Sequence, residues 1–579
     1  MTKEFCTKLQ KRIVGAGRGT VFVLLGFICF YLFFSSIFST CVIWYDTEKT
    51  YYIKDFPLLL MLGLIGMTGL LVLLRRLKDK LLLRYHIIMM ILTVTWFILL
   101  TIFIVNTNIN LVYDQWFVYK GTQDFVDGNF EMWEVGGYLY EYPFQNGLVL
   151  LYAPLMILFG DNTYWVVQII NAVFYFLLAV GLYRIAKKLF QKEVALFTYA
   201  GVLFFLPLWS YVKYLYGNLP GLSFGVWAIY FSMIFVENGK WKYLLGSMGC
   251  IFMAMVYKSN ILIYAIAICI VLIMEAMNQR KVKYALAAAF LAVSAILGMK
   301  TPSWIVHGIT GCITDQGIPT IHCVSMGLKE SYVAPGWYNG DSGQLFAENG
   351  YSVERMTKVV WESIADSLKL FGQEKDYALR FFSRKVASIW NNPTFEGFAI
   401  VVKGNLHGTL EYWMKDILYS GGIVNTILTV LLDIVQSVYL FGMVLYIMYS
   451  RKQHELRKAI PLVAFIGGFI FHIFWEAKCQ YTIIFFVLLI PYAFEGYRQC
   501  VRNIGEGLDK KERASQLMKK KGIWAFGGVL ALVLIIAVCD NTFFSSTIKL
   551  QGEEGDYVWL CKEQDYWKDD NFTKEGARE

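Results

Sequence analysis

The chain has 579 residues, 57% of them hydrophobic and only 17% charged, with a formal net charge of +9. Soluble domains are about 45–50% apolar and about 25% charged. The apolar excess here is gathered in uncharged runs of roughly 17–25 residues, the length that carries an α-helix across about 30 Å of hydrocarbon. A string of soluble domains would show amphipathic stripes of period 3.6 instead, so the composition predicts an all-α polytopic membrane protein.

The chain opens on MTKEFCTKLQKRIVGAGRGT, a basic stretch followed by an apolar run. A signal peptide would reach small residues at a cleavage site. This run continues through bulky Phe, Leu and Tyr, so it reads as a retained first helix. Spans are expected at about 19–40, 57–74, 87–106, 163–183, 194–211, 219–236, 241–257, 259–274, 284–299, 424–449, 459–474, 480–497 and 523–540, thirteen in all. The apolar stretch Leu148–Phe159 is about a dozen residues, which suits a re-entrant or juxtamembrane helix in the first large outer loop. With that stretch not crossing, most of the 53 Lys and Arg residues fall on one side. The short loops of the other side hold only Lys49, Lys54, Lys120, Lys213, Lys258 and Lys478. Positive charge collects on the cytoplasmic side, which sets the N-terminus inside and the C-terminus outside in a cell (plasma) membrane. The basic side suits anionic lipid headgroups, and nothing suggests nucleic acid.

The organisation that follows is an N-terminal two-helix extension (1–86), a transmembrane core (87–300) with a first outer loop (107–147), and a large outer loop with helices (301–423). C-terminal transmembrane helices (424–540) and an outer tail (541–579) complete it. The cytoplasmic segments are short, and the chain has no GxxxxGK followed by Ser or Thr, the loop that cradles nucleotide phosphates. Chemistry is therefore expected on the outer face. The eleven cysteines include no CxxC pair; Cys312 and Cys323 share the large outer loop, where a disulfide is open to them.

The first outer loop holds six carboxylates: Asp114, Asp124, Asp127, Glu131, Glu134 and Glu141. Asp114 follows the third span by a few residues. An ionisable group at a membrane edge is costly unless it faces water or a site, which makes Asp114 the leading functional candidate. Glu141 comes next, and the other four read as a solvated acidic surface. Lys258, Lys478 and Lys213 stand at the outer boundary, placed either to hold an anion or to snorkel toward the interface. Trp337 and Tyr338 can stack on a sugar face or pack in the bundle. His472 and Glu476 are four apart but too few for a metal site; carbonyl and carboxylate ligands for a divalent ion stay open, and no cofactor is required by the pattern.

The order of motifs then carries a resemblance. Asp114, Gly128-Asn129, Tyr138, Tyr142-Pro143-Phe144-Gln145-Asn146-Gly147 and Phe159-Gly160 resemble the first outer loop of the GT-C superfamily of integral membrane glycosyltransferases. Protein O-mannosyltransferases and lipid A aminoarabinose transferases belong to it. Tyr257-Lys258-Ser259-Asn260, Met326-Gly327-Leu328, Gly336-Trp337-Tyr338-Asn339 and Trp475-Glu476-Ala477-Lys478-Cys479-Gln480-Tyr481 resemble its bacterial members that modify cell-surface glycopolymers. The resemblance spans roughly residues 87–500, and Gln115 stands where many relatives have a second acid.

The resemblance implies transfer of a sugar from a polyprenyl-phosphate donor to an outer-face acceptor, a cell-envelope polysaccharide or teichoic-type polymer, with protein or lipid acceptors open. Asp114 is then the catalytic base and Glu141 its runner-up. Lys258, Lys478 and Lys213 hold the donor phosphate, and Gln145, Trp337 and Tyr338 contact acceptor or sugar. The chemistry needs one carboxylate. The acceptor hydroxyl must lose its proton as it attacks, whereas the leaving phosphate is already acidic, unlike the alcohol of glycoside hydrolysis. A transporter or flippase of lipid-linked sugars, or a polysaccharide polymerase or ligase, is the rival reading. Transporters carry internal repeats and charges at the midplane, and this chain shows neither pattern.

Overall fold

The computed structural model describes residues 3–43, 50–55, 57–405, 410–420, 422–450, 456–509 and 528. A long first helix, α1 (Lys3–Phe38), runs into an antiparallel hairpin of β1 (Ser39–Ile43) and β2 (Thr50–Lys54), paired Ser39 to Lys54 and Ile43 to Thr50. Helices α2 (Pro57–Arg76), α3 (Lys78–Leu83) and α4 (Tyr85–Asn106) lead to the first long segment between spans. That segment holds α5 (Asp114–Asp127), α6 (Tyr138–Glu141) and α7 (Asn146–Phe159). The bundle continues through α8 (Thr163–Leu189), α9 (Lys192–Leu203), α10 (Leu206–Ser210), α11 (Asn218–Asn238), α12 (Trp241–Tyr257), α13 (Leu262–Gln279) and α14 (Val282–Thr310). The second long segment between spans carries α15 (His322–Gly327), α16 (Ser342–Glu348), α17 (Val353–Gln373), α18 (Lys375–Trp390), α19 (Gly397–Lys403) and α20 (Tyr412–Leu418). Helices α21 (Ile423–Ser450), α22 (Ile460–Phe474), α23 (Cys479–Phe486) and α24 (Ile490–Asp509) complete the described chain.

The protein is an all-α polytopic membrane protein. Ten helical stretches among the described residues are long and apolar enough to cross a bilayer. Lys192–Leu203 and Leu206–Lys213, bent by 48° at their junction, make an eleventh if they form one span. Trp241–Tyr257, at 17 residues, is shorter than the rest. The expected span 523–540 lies, but for Gly528, outside the described residues, as does the tail 541–579.

Helix α7 packs against the end of α12 and the loop that precedes α11. Its first turn sits so close to the end of α12 that a Cβ on Gly147 would lie 2.1 Å from the Val256 carbonyl. Leu148 packs on Gly217, whose φ of +73 only glycine adopts without strain. Just past the far end of α7, the Tyr164 hydroxyl donates to the Lys213 carbonyl at 2.8 Å.

The β1–β2 hairpin is stitched to the second long segment between spans. Cys41 N–H donates to the Asn391 carbonyl at 3.0 Å, and Asn392 returns a bond to the Cys41 carbonyl at 3.0 Å. Thr50 bonds Val333 through both backbone and side chain, and Tyr52 bonds the Arg384 carbonyl. Within that segment Met356, Val360 and Ile364 form a buried stripe at i, i+4, i+8 on α17, packed with Tyr140, Leu328 and Phe346. Cys312 and Cys323 are free thiols.

Candidate active site

Asp114 opens α5, directly after Tyr113, whose φ of 52 places a non-glycine residue in the left-handed half of backbone space. That turn redirects the chain from the end of α4 into α5 and leaves the Asp114 carboxylate half-buried at the bundle's end. Tyr138, at the start of α6, donates its hydroxyl to Asp114 Oδ1 at 3.0 Å. Burial and the neighbouring carboxylate push the Tyr138 phenol well up, so it stays a donor. The ring of Tyr138 stacks on Phe117, one helical turn after Asp114, at 4.5 Å between centroids. One oxygen of the carboxylate is thereby held, and the other is left for a second partner.

The residue after Asp114 has a different task. Gln115 is buried, and its Oε1 accepts the Leu215 N–H at 2.9 Å. It ties α5 to the aromatic loop Tyr211–Asn218, which brings Tyr214 and Tyr216 to the site. A cleft of about 370 Å³ is lined here by Asp114, Gln115, Tyr214, Glu396, Lys403, Lys478 and Gln480. Glu396 holds a φ of 64 and pairs with Lys403 at 3.8 Å.

Lys258 occupies the break between α12 and the helix that follows. Its ammonium lies 3.9 Å from the centroid of Tyr216 and 5.7 Å from that of Tyr481, a cation resting on aromatic faces. Burial pulls it down to about 7; Lys478 adds to the pull, while Asp114 and Glu476 oppose it. Lys478 stands just before α23 and, with Asp114, lines the cleft. Tyr338 is half-buried and feels Asp114, Glu476 and Lys478, so three motifs distant in sequence share one electrostatic neighbourhood. Backbone bonds fix this convergence: Ala477 N–H donates to the Gly336 carbonyl at 2.7 Å.

The remaining candidates are placed differently. Glu141 is half-buried beside Tyr142, and its carboxylate faces the first turn of α16, where a Cβ on Gly343 would lie 3.1 Å from Oε2. Burial raises its carboxyl above the usual range. Gln145 is buried in the turn before α7, with Nε2 unpartnered. Trp337 is 1% exposed and donates Nε1 to Ser388 at 2.8 Å, so its ring is enclosed by protein. Lys213 points into the bundle, bonded to the Ile104 carbonyl at 3.1 Å and to Gln168 at 2.8 Å. Lys385 is buried and spends its ammonium on the carbonyls of Gly327, Ile473 and Trp475. Tyr214, Tyr216, Glu396 and Lys403 were not among the sequence candidates. The dense tyrosines of Tyr211–Asn218 were a signal for the first two; Glu396 and Lys403 carry none. Among the described residues no group of three or more His, Cys, Asp or Glu side chains is placed to hold a metal ion.

Residues 149–301, from α7 into α14, match the family described as dolichyl-phosphate-mannose-protein mannosyltransferase. That stretch contains Lys213 and Lys258 but neither Asp114 nor Lys478. No curated protein matches the chain. Among solved structures, the archaeal oligosaccharyltransferase AglB from Archaeoglobus fulgidus, in complex with an inhibitory peptide and a dolichol-phosphate, is similar at 12% identity and a TM-score of 0.34. The similarity covers 71% of this chain and 48% of that one, so the chain spans about half the length of that protein.

Proposed function

We propose that this chain, a membrane glycosyltransferase of the GT-C superfamily, moves a sugar from a polyprenyl-phosphate donor to an acceptor hydroxyl, with Asp114 as the base. The matching family is named for a dolichyl-phosphate-linked sugar, which supports a lipid-linked donor. The observation that carries the assignment of Asp114 is its double placement. It lines the cleft that Lys478 also lines, and one of its oxygens is already held by Tyr138.

The reaction follows from that arrangement. The acceptor oxygen attacks the anomeric carbon and gives its proton to the second oxygen of Asp114. The bond from that carbon to the phosphate oxygen breaks, and its electron pair leaves with the polyprenyl phosphate. One displacement inverts the anomeric centre. Lys258 and Lys478 supply the positive charge that receives the phosphate, the kind of preorganised stabilisation that contributes most where water is excluded. Tyr338 is the open aromatic surface for the sugar, Trp337 being enclosed. A cell-surface glycopolymer is the acceptor that the motifs favour.

Asp114→Asn tests the assignment. It keeps the shape and the Tyr138 bond but cannot take a proton, so transfer should fall by about 10²–10⁴-fold with expression and detergent stability unchanged. Full transfer in Asp114→Asn together with its loss in Glu141→Gln would make Glu141 the base. Full transfer in both would sink the reading.

A further inference from the structure

Beside Lys258, at the start of α11, stands a buried amide that the reaction above does not use. Gly217 just before α11, and Gly221 and Gly225 within it, meet the break between α12 and α13. A Cβ on Gly217 would lie 2.3 Å from the Tyr257 carbonyl, one on Gly221 2.8 Å from Lys258 Cβ, and one on Gly225 3.0 Å from Ile261 Cγ2. The stem of Lys258 therefore begins against the first turn of α11. Its ammonium ends 3.9 Å from the ring centroid of Tyr216, two residues ahead of that helix. Lys258 thus runs along the N-terminal end of α11, from the level of Gly221 to that of Tyr216. Asn218 stands between those levels, on the helix face it shares with Gly221 three residues on.

Asn218 is 3% exposed, and among the described residues neither its Nδ2 nor its Oδ1 has a hydrogen-bond partner. A buried amide left unpaired costs stability that an apolar side chain of like shape would not, so its presence calls for a reason. Two more amide nitrogens without partners, Gln145 Nε2 and Asn260 Nδ2, belong to the same neighbourhood. Asn260 follows Lys258 by two residues, and Gln145 precedes by two the Gly147 that packs on the Val256 carbonyl. The first turn of a 21-residue helix adds its own outward N–H groups and the positive end of its dipole. A lysine, a helix N-terminus and unpaired amide donors have one complement, an oxyanion rich in acceptors.

We infer that Asn218 is a specificity-determining residue for the donor, its Nδ2 donating to a non-bridging oxygen of the polyprenyl phosphate whose charge Lys258 receives. Gln145 and Asn260 are the flanking donors. This rests on the reading of Lys258 as a phosphate receiver and adds the group that orients the phosphate there. A lysine is a point charge on a flexible stem and fixes no orientation; an amide held at the start of a helix does. The ligand-free fold carries the unpaired amide because the phosphate pairs it on binding.

The test is equilibrium binding of undecaprenyl phosphate to the purified full-length protein in detergent, with undecaprenol, inorganic phosphate and phosphatidylglycerol as controls and apparent Tm of the ligand-free protein as a second readout. Wild type should bind undecaprenyl phosphate at least tenfold more tightly than undecaprenol, and neither inorganic phosphate nor phosphatidylglycerol should displace it at equal concentration. Asn218→Leu keeps the branched shape and removes both unpaired atoms. It should raise Kd roughly tenfold or more while Tm holds or rises, a combination that a merely structural asparagine would not give. Asn218→Asp sets a carboxylate beside Lys258 and the helix N-terminus. It should hold Tm and raise Kd further, and it decides the matter if Asn218→Leu does not fold. Tight binding by wild type with Kd unchanged in both variants overturns the role of Asn218 and leaves the donor reading standing. So does a loss of affinity that comes in both variants with a clear fall in Tm. Equal competition by phosphatidylglycerol would make the seat a general one for lipid phosphates and overturns the specificity. Wild type that binds undecaprenyl phosphate no better than undecaprenol takes the donor reading down as well.

Discussion

The two ends of the bundle treat charge in opposite ways. At the end away from the cleft, cations and carboxylates meet across segment boundaries. Glu237 pairs with Lys188 and with Arg457, the latter at 3.0 Å; within α24, Glu495 holds Arg498. At the cleft end Glu396 and Lys403 are paired, but Lys258 rests on rings, and Lys213 and Lys385 rest on carbonyls and an amide. Among the described residues none of these last three lysines rests on a carboxylate, so whatever positive charge each carries is not cancelled by an ion pair of its own. A region built to receive a phosphate has reason to neutralise its lysines last; a region built to hold loops together neutralises them first.

The comparison breaks outright if the two ends do not lie on opposite sides of the membrane. In a background without Cys312, Cys323 and Cys561, cysteines at Asn129 and Gln344 should react fully with an impermeant thiol reagent applied outside. A cysteine at Lys188 should not react. The reverse pattern would put the cleft on the cytoplasmic side and remove its access to an outer-face donor.

The next largest effect is expected at Lys258. A charge-assisted hydrogen bond is worth about 1.5–3 kcal/mol, so Lys258→Ala should lower kcat/KM for the donor roughly tenfold to a hundredfold. Lys258→Arg should keep part of it. The pH profile sharpens the point. With its pKa drawn down to about 7, Lys258 is a cation below that value and neutral above it. Donor kcat/KM should therefore decline as pH rises from 6 to 8 in wild type and stay flat in Lys258→Arg. A wild-type profile without that decline would mean the lysine does not receive the phosphate.

Much of this was legible in the sequence. Hydropathy gave the spans, because a bilayer imposes a length that any uncharged run reveals. The ordered motifs gave Asp114, Lys258, Lys478 and Tyr338, which the fold gathers at one end. Rotamers and burial were not legible. Lys213 and Lys478 look alike as lone outer lysines, yet only the packing of Gln168 and the Ile104 carbonyl shows that Lys213 faces inward. Trp337 and Tyr338 are neighbours in one motif, and only the fold shows that one is enclosed and the other open. Glu396 comes from a loop with no pattern at all, brought in by its left-handed backbone.

Lys385 separates holding from binding at the cleft end itself. Lys385→Met keeps the stem and deletes the ammonium, leaving three carbonyls to find other donors at about 1–3 kcal/mol for each one left bare. Apparent Tm in detergent should fall clearly, and residual activity at low temperature should stay near that of wild type. An unchanged Tm would remove Lys385 from the structural set and return it to the candidates for the donor phosphate.

The smallest effect is expected at the opposite end. Glu237 joins Lys188 in the last turn of α8 to Arg457 on the segment before α22, and its side chain is 38% exposed. Its hydrogen bond to Lys188 does most to hold its carboxyl below the usual range. A group depressed in this way contributes stability above its unfolded pKa and loses it as pH falls through the folded one, so the contribution is present at neutral pH and gone in acid. Water and salt screen a pair this exposed, and such pairs give about 0.2–1 kcal/mol. Glu237→Gln should therefore lower apparent Tm slightly at pH 7, and less at high salt and as the pH is taken down into the acid range, with sugar transfer unaffected. A large, salt-independent loss would show that this end is held by the same buried, unscreened contacts as the cleft end, and the contrast between the two would fail.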